Sequence, residues 1–200
     1  MSIVVAHEKR RKEVLEKVID VFIDEGYENT TFQKIADHCG ITRTTLYIYF
    51  KNKKEIFTYS IKLLLAKIDS GINVIRSDAS LGSVEKITGV LLDIFRHLEE
   101  NRRLLSVILD YLLHISKKNV DPETRVRRRV IKLRHILASL VIEGVKSGEL
   151  KAVDIKTMND YLYSLIEAAI FHLAILQKKN IDDLRKTAIF AVKQFAKTSV

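Results

Sequence analysis

The chain has 200 residues and a formal net charge of +9, with 47% hydrophobic and 30% charged residues. This length and apolar share are enough for one sizeable core or two smaller coupled ones. No uninterrupted apolar run reaches about eighteen residues, so we expect no membrane-spanning helix. Cys39 is the single cysteine, which excludes a disulfide framework and favours a reducing cytoplasm. One proline and seven glycines favour long helices and an all-α fold.

The N-terminal residues predict a short arm followed by one helix. We expect residues 1–7 to form a loose arm. The helix is predicted over residues 8–25, because Val14, Val18 and Phe22 repeat at helical spacing with further apolar residues beside them. Gly26 then supplies a residue suited to the position just after a helix C-terminus.

Two short helical patterns lie on either side of Gly40. Thr30 or Thr31 starts the first, and Gln33 follows Thr30 at the spacing of a capping box. Gly40 is suited to end that helix, and Thr42 is suited to cap the start of the next one. This layout is typical of a helix-turn-helix, in which the second helix lies in the major groove of DNA.

The second helix of this pair has an apolar anchor and an unusual outward face. Leu46 and Phe50, four residues apart, form the buried stripe. The opposite face carries Thr44 and Ile48, where a merely solvated face would carry Glu and Lys. Hydroxyl groups can bond base edges, an isoleucine can contact thymine methyl groups, and Arg43 can make a bidentate contact with guanine. The alternative is an ordinary helical hairpin whose tyrosines pack.

This stretch also resembles a known family of regulators. The matching residues are Gly26-Tyr27, Thr30-Thr31, Ile35-Ala36, Gly40-Ile41, Thr42, Thr45-Leu46-Tyr47, Tyr49-Phe50-Lys51 and Lys53-Lys54-Glu55-Ile56-Phe57. Over about residues 9–57 the chain is similar to the tetracycline-repressor (TetR) family of bacterial transcription regulators. The resemblance implies an all-helical homodimer with an N-terminal DNA-binding domain and a C-terminal ligand-binding and dimerisation domain. Thr44 and Tyr49 stand where the family often has glycine and histidine, so the operator sequence cannot be inferred by analogy.

The resemblance and the outward face together give the candidate DNA contacts. Carried over by position, Thr42 to Thr45 would approach bases, whereas Tyr47, Tyr49 and Lys53 would hold phosphates. The complete candidate set is Thr31, Gln33, Thr42, Arg43, Thr44, Thr45, Tyr47, Ile48, Tyr49, Lys51, Lys53 and Lys54. The corresponding domains are residues 1–54 for the helix-turn-helix and residues 55–200 for effector binding and dimerisation.

Six further helices are predicted, which makes about nine in all. They cover residues 53–76, 83–99, 102–117, 121–146, 154–179 and 181–197. Asp121-Pro122-Glu123 is the start signal of the fourth of these six, with an acidic cap followed by proline at the first helical position.

The last two predicted helices carry more apolar surface than one small domain can bury. The helix over residues 154–179 is apolar almost all round and would be ~39 Å long. Pairing with a second copy in a two-fold four-helix interface would bury it. The candidate dimer residues are Tyr161, Leu165, Ala168, Ala169, His172, Leu176, Leu184, Ala188, Ala191 and Phe195.

Other residues could serve ligand, metal or catalytic chemistry. Polar and aromatic residues on the C-terminal helices are candidates for an effector pocket, although each alone is better explained as a packed or rim residue. They are His97, Tyr111, His114, His135, Tyr163, Glu167 and Phe171. The histidines lie too far apart for a zinc site, and no phosphate loop, nucleophile elbow or carboxylate pair appears. We therefore expect no metal, no cofactor and no enzyme.

The densest basic stretch, residues 117–135, holds eight basic and two acidic residues. It is a candidate second surface for nucleic acid or a phosphorylated ligand. A solvated helix face is the simpler explanation, because consecutive arginines cannot all point one way.

The sequence thus predicts a cytoplasmic, homodimeric regulator that binds double-stranded DNA and has no membrane partner. The simplest mechanism is a repressor that leaves a palindromic operator when an unknown small-molecule effector binds. The alternative is a helical carrier or enzyme with a vestigial helix-turn-helix, which would require catalytic groups converging in a cavity.

Overall fold

The computed structural model describes residues 2–117 and 124–197. Within these ranges the structure has nine α-helices and one π-helical turn, so the predicted all-α fold is confirmed. The helices are α1 (Ser2–Asn29), α2 (Phe32–Cys39), α3 (Arg43–Tyr49), α4 (Lys53–Ser77), α5 (Ser83–Glu100), α6 (Arg102–Lys117), α7 (Thr124–Ser147), α8 (Ile155–Ile170) and α9 (Asp182–Phe195), with the π-helical turn Phe171–Ile175 directly after α8. The predicted start signal at Asp121-Pro122-Glu123 lies outside the described residues.

The helices form two compact units. The N-terminal unit comprises Met1–Lys67 and Val107–Tyr111, and the C-terminal unit comprises Ile68–Ser106 and Leu112–Val200. Helices α4 and α6 therefore contribute residues to both units. This division describes packing, and the predicted functional boundary after residue 54 stays a prediction.

Helix α1 is longer than the sequence indicated. It begins at Ser2, so the expected loose arm is wrong for residues 2–7, a segment without the glycine or proline that would interrupt a helix. Gly26 (φ 73°, ψ 167°) bends the chain before a last turn, as its position after the apolar stripe predicted. The hydroxyl of Thr30 donates to the Gly26 carbonyl at 2.6 Å, which satisfies an acceptor that the bend leaves free.

Aromatic rings fill the core of the N-terminal unit. Phe22 and Phe57 are fully buried, with ring centroids 4.8 Å apart. Tyr27 and Tyr111 pack on each other at 4.4 Å, and each lies about 5 Å from Phe57. This packing explains why a short segment of α6 belongs to the same unit as α1 and α4.

In the C-terminal unit, α5 packs against α7, α8 and α9, and α7 packs along α8. The loop after α7 closes one end of this bundle. The Glu149 carboxylate accepts from the backbone N–H of Ser83 at 2.6 Å and thereby caps α5. Leu150 pairs with Ala196 in an isolated antiparallel bridge just after α9. None of the helices in the described ranges is both long and apolar enough to cross a membrane.

The predicted helix over residues 154–179 is too long, because α8 continues after Ile170 as a π-helical turn that ends at Ile175. The Ala174 carbonyl accepts from the Gln177 side chain at 2.7 Å instead of a following helical N–H. Gln177 itself has a left-handed backbone (φ 53°), which stops the helix. The ~39 Å rod on which the dimer argument depended is therefore shorter.

Candidate nucleic-acid interface

Two threonine caps and one glycine shape the helix-turn-helix. Thr31 caps α2, because its Oγ1 accepts from the Lys34 N–H at 3.2 Å. Thr30 is not the cap, and Gln33 makes no capping box because its side chain donates to Asp37 at 2.8 Å. Gly40 adopts the left-handed conformation (φ 66°) that the sequence predicted at the end of α2.

The N-terminus of α3 is held by a pair of threonines. Thr42 Oγ1 accepts from the Thr45 N–H at 3.1 Å, and the two hydroxyl oxygens lie 2.8 Å apart. Thr42 is therefore the predicted N-cap. The same bonds leave its hydroxyl partly occupied before any DNA arrives.

Leu46 and Phe50 anchor α3 as predicted. Their relative exposures are 0% and 1%. Phe50 lies just past the helix in an extended conformation, and its N–H donates to the Leu46 carbonyl at 3.0 Å. Because both anchors point inward, the opposite side of α3 must face outward.

That outward side carries Thr44 and Ile48, and Arg43 extends from the first turn of α3 beside it. All three side chains are exposed, and Ile48 is 65% exposed. Tyr47 is 50% exposed but held in place, because its ring stacks on Phe32 at 4.6 Å and its hydroxyl accepts from Arg43 at 3.3 Å. A large exposed isoleucine beside hydroxyl and guanidinium groups can match both thymine methyl groups and base edges.

The three candidate lysines differ in their exposure and in their hydrogen bonds within the protein. Lys51 and Lys54 are exposed. The Lys53 ammonium instead donates to the carbonyls of Tyr27 (2.6 Å) and Glu28 (3.0 Å), and burial lowers its pKa. Lys53 thus secures the end of α1, a role that the sequence did not reveal because its partners lie about 25 positions earlier. Its predicted phosphate contact stays a prediction.

Arg11 is a positioning residue that the sequence analysis missed. Its guanidinium lies 4.1 Å from the Tyr59 ring centroid and 5.3 Å from that of Phe50. Glu55 lies 3.5 Å from the same group. Arg11 therefore holds the anchor Phe50 from α1, and nothing in the local pattern around residue 11 indicates this.

The candidate effector residues are dispersed. Tyr111 belongs to the aromatic core of the N-terminal unit. Within the C-terminal unit, His97 is buried with its Nδ1 2.9 Å from the Asp93 carbonyl oxygen, and Tyr163 is buried 4.4 Å beneath the Arg134 guanidinium. The remaining four are half-buried His114 and exposed His135, Glu167 and Phe171. The structure gathers no common lining from this set, so a pocket built of them stays a prediction.

The candidate dimer residues divide into core and surface. The buried ones are Leu165, Ala169, Leu184, Ala188 and Ala191; the half-buried ones are Ala168, His172 and Phe195; the exposed ones are Tyr161 and Leu176. The buried members pack within the protomer, because α8 and α9 turn those faces toward each other and toward α5. Ile175 and Phe190, which are not in the candidate set, are 51% and 65% exposed.

The geometry defines a class of protein, the helix-turn-helix DNA-binding proteins. In the part of the chain that the structure describes, no group of three or more potential metal ligands is present. A family model described as "Bacterial regulatory proteins, tetR family" matches residues 14–59. Residues 14–59 therefore form a DNA-binding domain of the TetR family, and the relatives of the chain are named as transcriptional regulators.

Known proteins resemble the chain beyond the helix-turn-helix. The "Fatty acid metabolism regulator protein" of Bacillus subtilis is 25% identical over 168 residues, covering 82% of this chain and 84% of its own. A TetR transcription regulator from Haloarcula marismortui superposes with a TM-score of 0.81 at 18% identity, covering 95% of this chain and 100% of its own. FadR from Bacillus subtilis in complex with stearoyl-CoA superposes with a TM-score of 0.70 at 22% identity, covering 90% of this chain and 96% of its own.

Proposed function

We propose that the protein is a homodimeric repressor that binds a palindromic operator through α3 and leaves it when an effector binds. The observation that carries this proposal is the outward side of α3. Arg43, Thr44 and Ile48 are exposed together while Leu46 and Phe50 are buried, so the helix presents groups suited to base edges on a fixed support.

We assign the exposed residues to two groups, those that contact bases and those that contact phosphates. Arg43, Thr44 and Ile48 read bases, while Tyr47 and Lys51 contact phosphates. The remaining candidates contribute phosphate contacts or the caps that orient α3; they are Thr31, Gln33, Thr42, Thr45, Tyr49, Lys53 and Lys54.

A gel-shift titration over about 50–200 mM salt tests DNA binding, because several phosphate contacts per protomer give a steep negative slope of log affinity against log salt. We expect Lys51→Ala to weaken binding to all sequences alike. Arg43→Ala should instead change which sequences are preferred, with about 1–3 kcal/mol lost at one base pair. Lys67→Ala removes an equal charge from an exposed position on α4 and serves as the matched control. A flat salt dependence, or the same pattern of losses for both variants, would contradict the proposal.

A second copy of the chain is the proposed occupant of the outer face of α8 and α9. Tyr161, Phe171, Ile175 and Phe190 are between 37% and 65% exposed. Such an apolar surface is typical of an interface, and two-fold pairing also supplies two copies of α3 for the two halves of a palindrome.

The proposed effector is a long-chain acyl-CoA thioester. The support is the similarity, over 90% of the chain, to the regulator whose structure holds stearoyl-CoA. We expect stearoyl-CoA to release the protein from DNA at concentrations where stearate and free coenzyme A do not. Equal release by all three compounds, or by none, would refute this effector class while leaving the DNA-binding proposal intact.

A further inference from the structure

Helices α4 and α7 are joined by three charged side chains in the C-terminal unit. One oxygen of the Asp69 carboxylate lies 2.5 Å from Arg129 Nη1, and the other lies 2.9 Å from Lys132 Nζ. Burial alone would raise the pKa of Asp69, but hydrogen bonds from Lys132 and Arg129 hold it below its ordinary value. Two cations of the basic stretch thus converge on one compact anion.

The cations at this place outnumber the acid. Arg128 is exposed and has no described hydrogen-bond or ion-pair partner. It lies one turn before Lys132 on the same side of α7, and Arg129 lies three residues before Lys132, also at neighbouring helical spacing. Lys132 has three N–H donors and Arg129 has five, so donors remain after Asp69 is satisfied. The simpler explanation of the arginine run as a solvated face therefore does not cover Arg129 and Lys132, which both bind Asp69.

We propose that Arg128, Arg129 and Lys132 bind the phosphate groups of a polyphosphate-bearing ligand, and that Asp69 is the internal carboxylate which the ligand displaces. The inference rests on the proposed effector function and names the site for the charged part of the effector. A phosphate accepts hydrogen bonds from the same donors as a carboxylate, but it has more oxygen atoms and more negative charge. Arginine can bind a phosphate bidentately.

The arrangement favours a compact ligand over a nucleic acid. Arg129 and Lys132 converge on the two oxygens of the Asp69 carboxylate. A diphosphate could take the place of that carboxylate between the two cations. A duplex backbone needs donors spread along its length. The displacement would also open the contact between α7 and α4, the helix whose first turn follows the helix-turn-helix.

Calorimetric titration of the full-length protein with coenzyme A and with inorganic pyrophosphate tests the site. We expect Arg128→Ala to lower the affinity for each of the two probes about threefold to tenfold. Arg127→Ala is the matched control, because Arg127 is also exposed and carries the same charge but points about 100° away from Arg128, on the side of α7 farther from Lys132. Equal losses for the two variants would mean that only general charge matters and would overturn the proposal, as would the absence of binding to the wild-type protein.

Asp69→Asn should change the affinity for both probes in the opposite direction. It removes the competing charge while keeping a side chain of the same shape, so both probes should bind several-fold more tightly. Unchanged or weaker binding would show that Asp69 only positions the cations and would overturn the displacement.

A gel shift without ligand separates this inference from the proposed function. Arg128→Ala should bind operator DNA as the wild type does. If operator binding persists while neither probe binds, the phosphate site is refuted and the regulator remains. If Arg128→Ala weakens DNA binding as much as probe binding, the surface binds nucleic acid and the proposal is overturned.

Discussion

The two units expose surfaces of different character and different origin. In the N-terminal unit the outward residues Arg43, Thr44 and Ile48 are neighbours in sequence and stand on one short helix. In the C-terminal unit the exposed apolar face extends from Tyr161 to Phe190 and combines α8, the π-helical turn and α9. The first surface is fixed by local rules, whereas the second depends on how three elements pack.

Chemistry follows the same division. The surface of α3 mixes a guanidinium, hydroxyl groups and one isoleucine, which suits the polar groups and methyl groups in a DNA groove. The surface of α8 and α9 is aromatic and aliphatic, which suits a protein partner that removes it from water. Substitutions on the surface of α3 should therefore leave assembly unchanged, whereas a substitution that breaks the dimer should also weaken binding to a palindrome. The expected effects follow from the largest to the smallest.

Leu46→Ala should have the largest effect. Removing a fully buried leucine costs about 2–5 kcal/mol of the free energy of unfolding, and α3 would lose its orientation along with it. Ile48→Ala, two residues away and 65% exposed, should change that free energy by no more than about 0.5 kcal/mol while altering operator preference. Urea denaturation followed by circular dichroism measures both. Similar costs for the two variants would show that α3 is not anchored as described.

The contrast between local and packed surfaces also explains what the sequence could predict. Gly40, Thr42 and the Leu46–Phe50 anchors follow from local rules for caps and periodicity, and the structure has each where it was expected. Thr30 failed as a cap because its hydroxyl serves the Gly26 carbonyl, a partner that a capping pattern does not include.

Residues of the C-terminal helices were harder to place from sequence. Tyr111 was a reasonable pocket candidate, but it packs with Tyr27 and Phe57, whose positions are 84 and 54 residues earlier. Periodicity on α8 could not tell Leu165, which packs inside, from Phe171, which is 50% exposed, because both lie on apolar stripes. Only the partner helices decide which stripe is covered.

Phe190→Asp should have the next largest effect, on assembly instead of folding. Burying a phenylalanine side chain is worth about 1.5–3 kcal/mol, so the dimer should dissociate at concentrations at least about tenfold higher. Sedimentation velocity measures this change. Val74→Asp is the matched control, because Val74 is 67% exposed on α4 and outside the proposed interface. Dimers of undiminished strength would exclude the α8–α9 face as the contact.

Gly144→Ala should destabilise the C-terminal unit by about 1–3 kcal/mol. A Cβ atom there would lie 2.6 Å from Leu150 Cδ1 and 2.9 Å from Ser83 Cβ, at the place where Glu149 caps α5. Gly89→Ala is the comparison, because its Cβ would meet only Ile75, at 3.3 Å, and alanine favours a helix by up to about 1 kcal/mol. Thermal unfolding should show a clear loss for the first variant and little change for the second.

The smallest effect expected is a difference in alkaline stability between the two units. Burial, with smaller contributions from Tyr111 and Glu28, raises the pKa of Tyr27 from 10.0 to about 12. The folded state therefore favours the neutral phenol, so its stability is intact below pH 10 and declines as the pH rises from 10 through 12. Tyr27→Phe removes the ionisable group and should flatten that decline in denaturation midpoints measured between pH 9 and about 11.5.

Tyr163→Phe is the counterpart in the C-terminal unit. Burial and Glu167 raise the pKa of Tyr163 as well, but Arg134 above its ring acts in the opposite direction. Its replacement should therefore flatten the alkaline decline less than Tyr27→Phe does. If the two variants behave alike, the aromatic core around Phe57 is no more sensitive to a buried charge than the packing beneath Arg134. If Tyr27→Phe follows the wild-type profile, the Tyr27 phenol ionises without cost to the N-terminal unit.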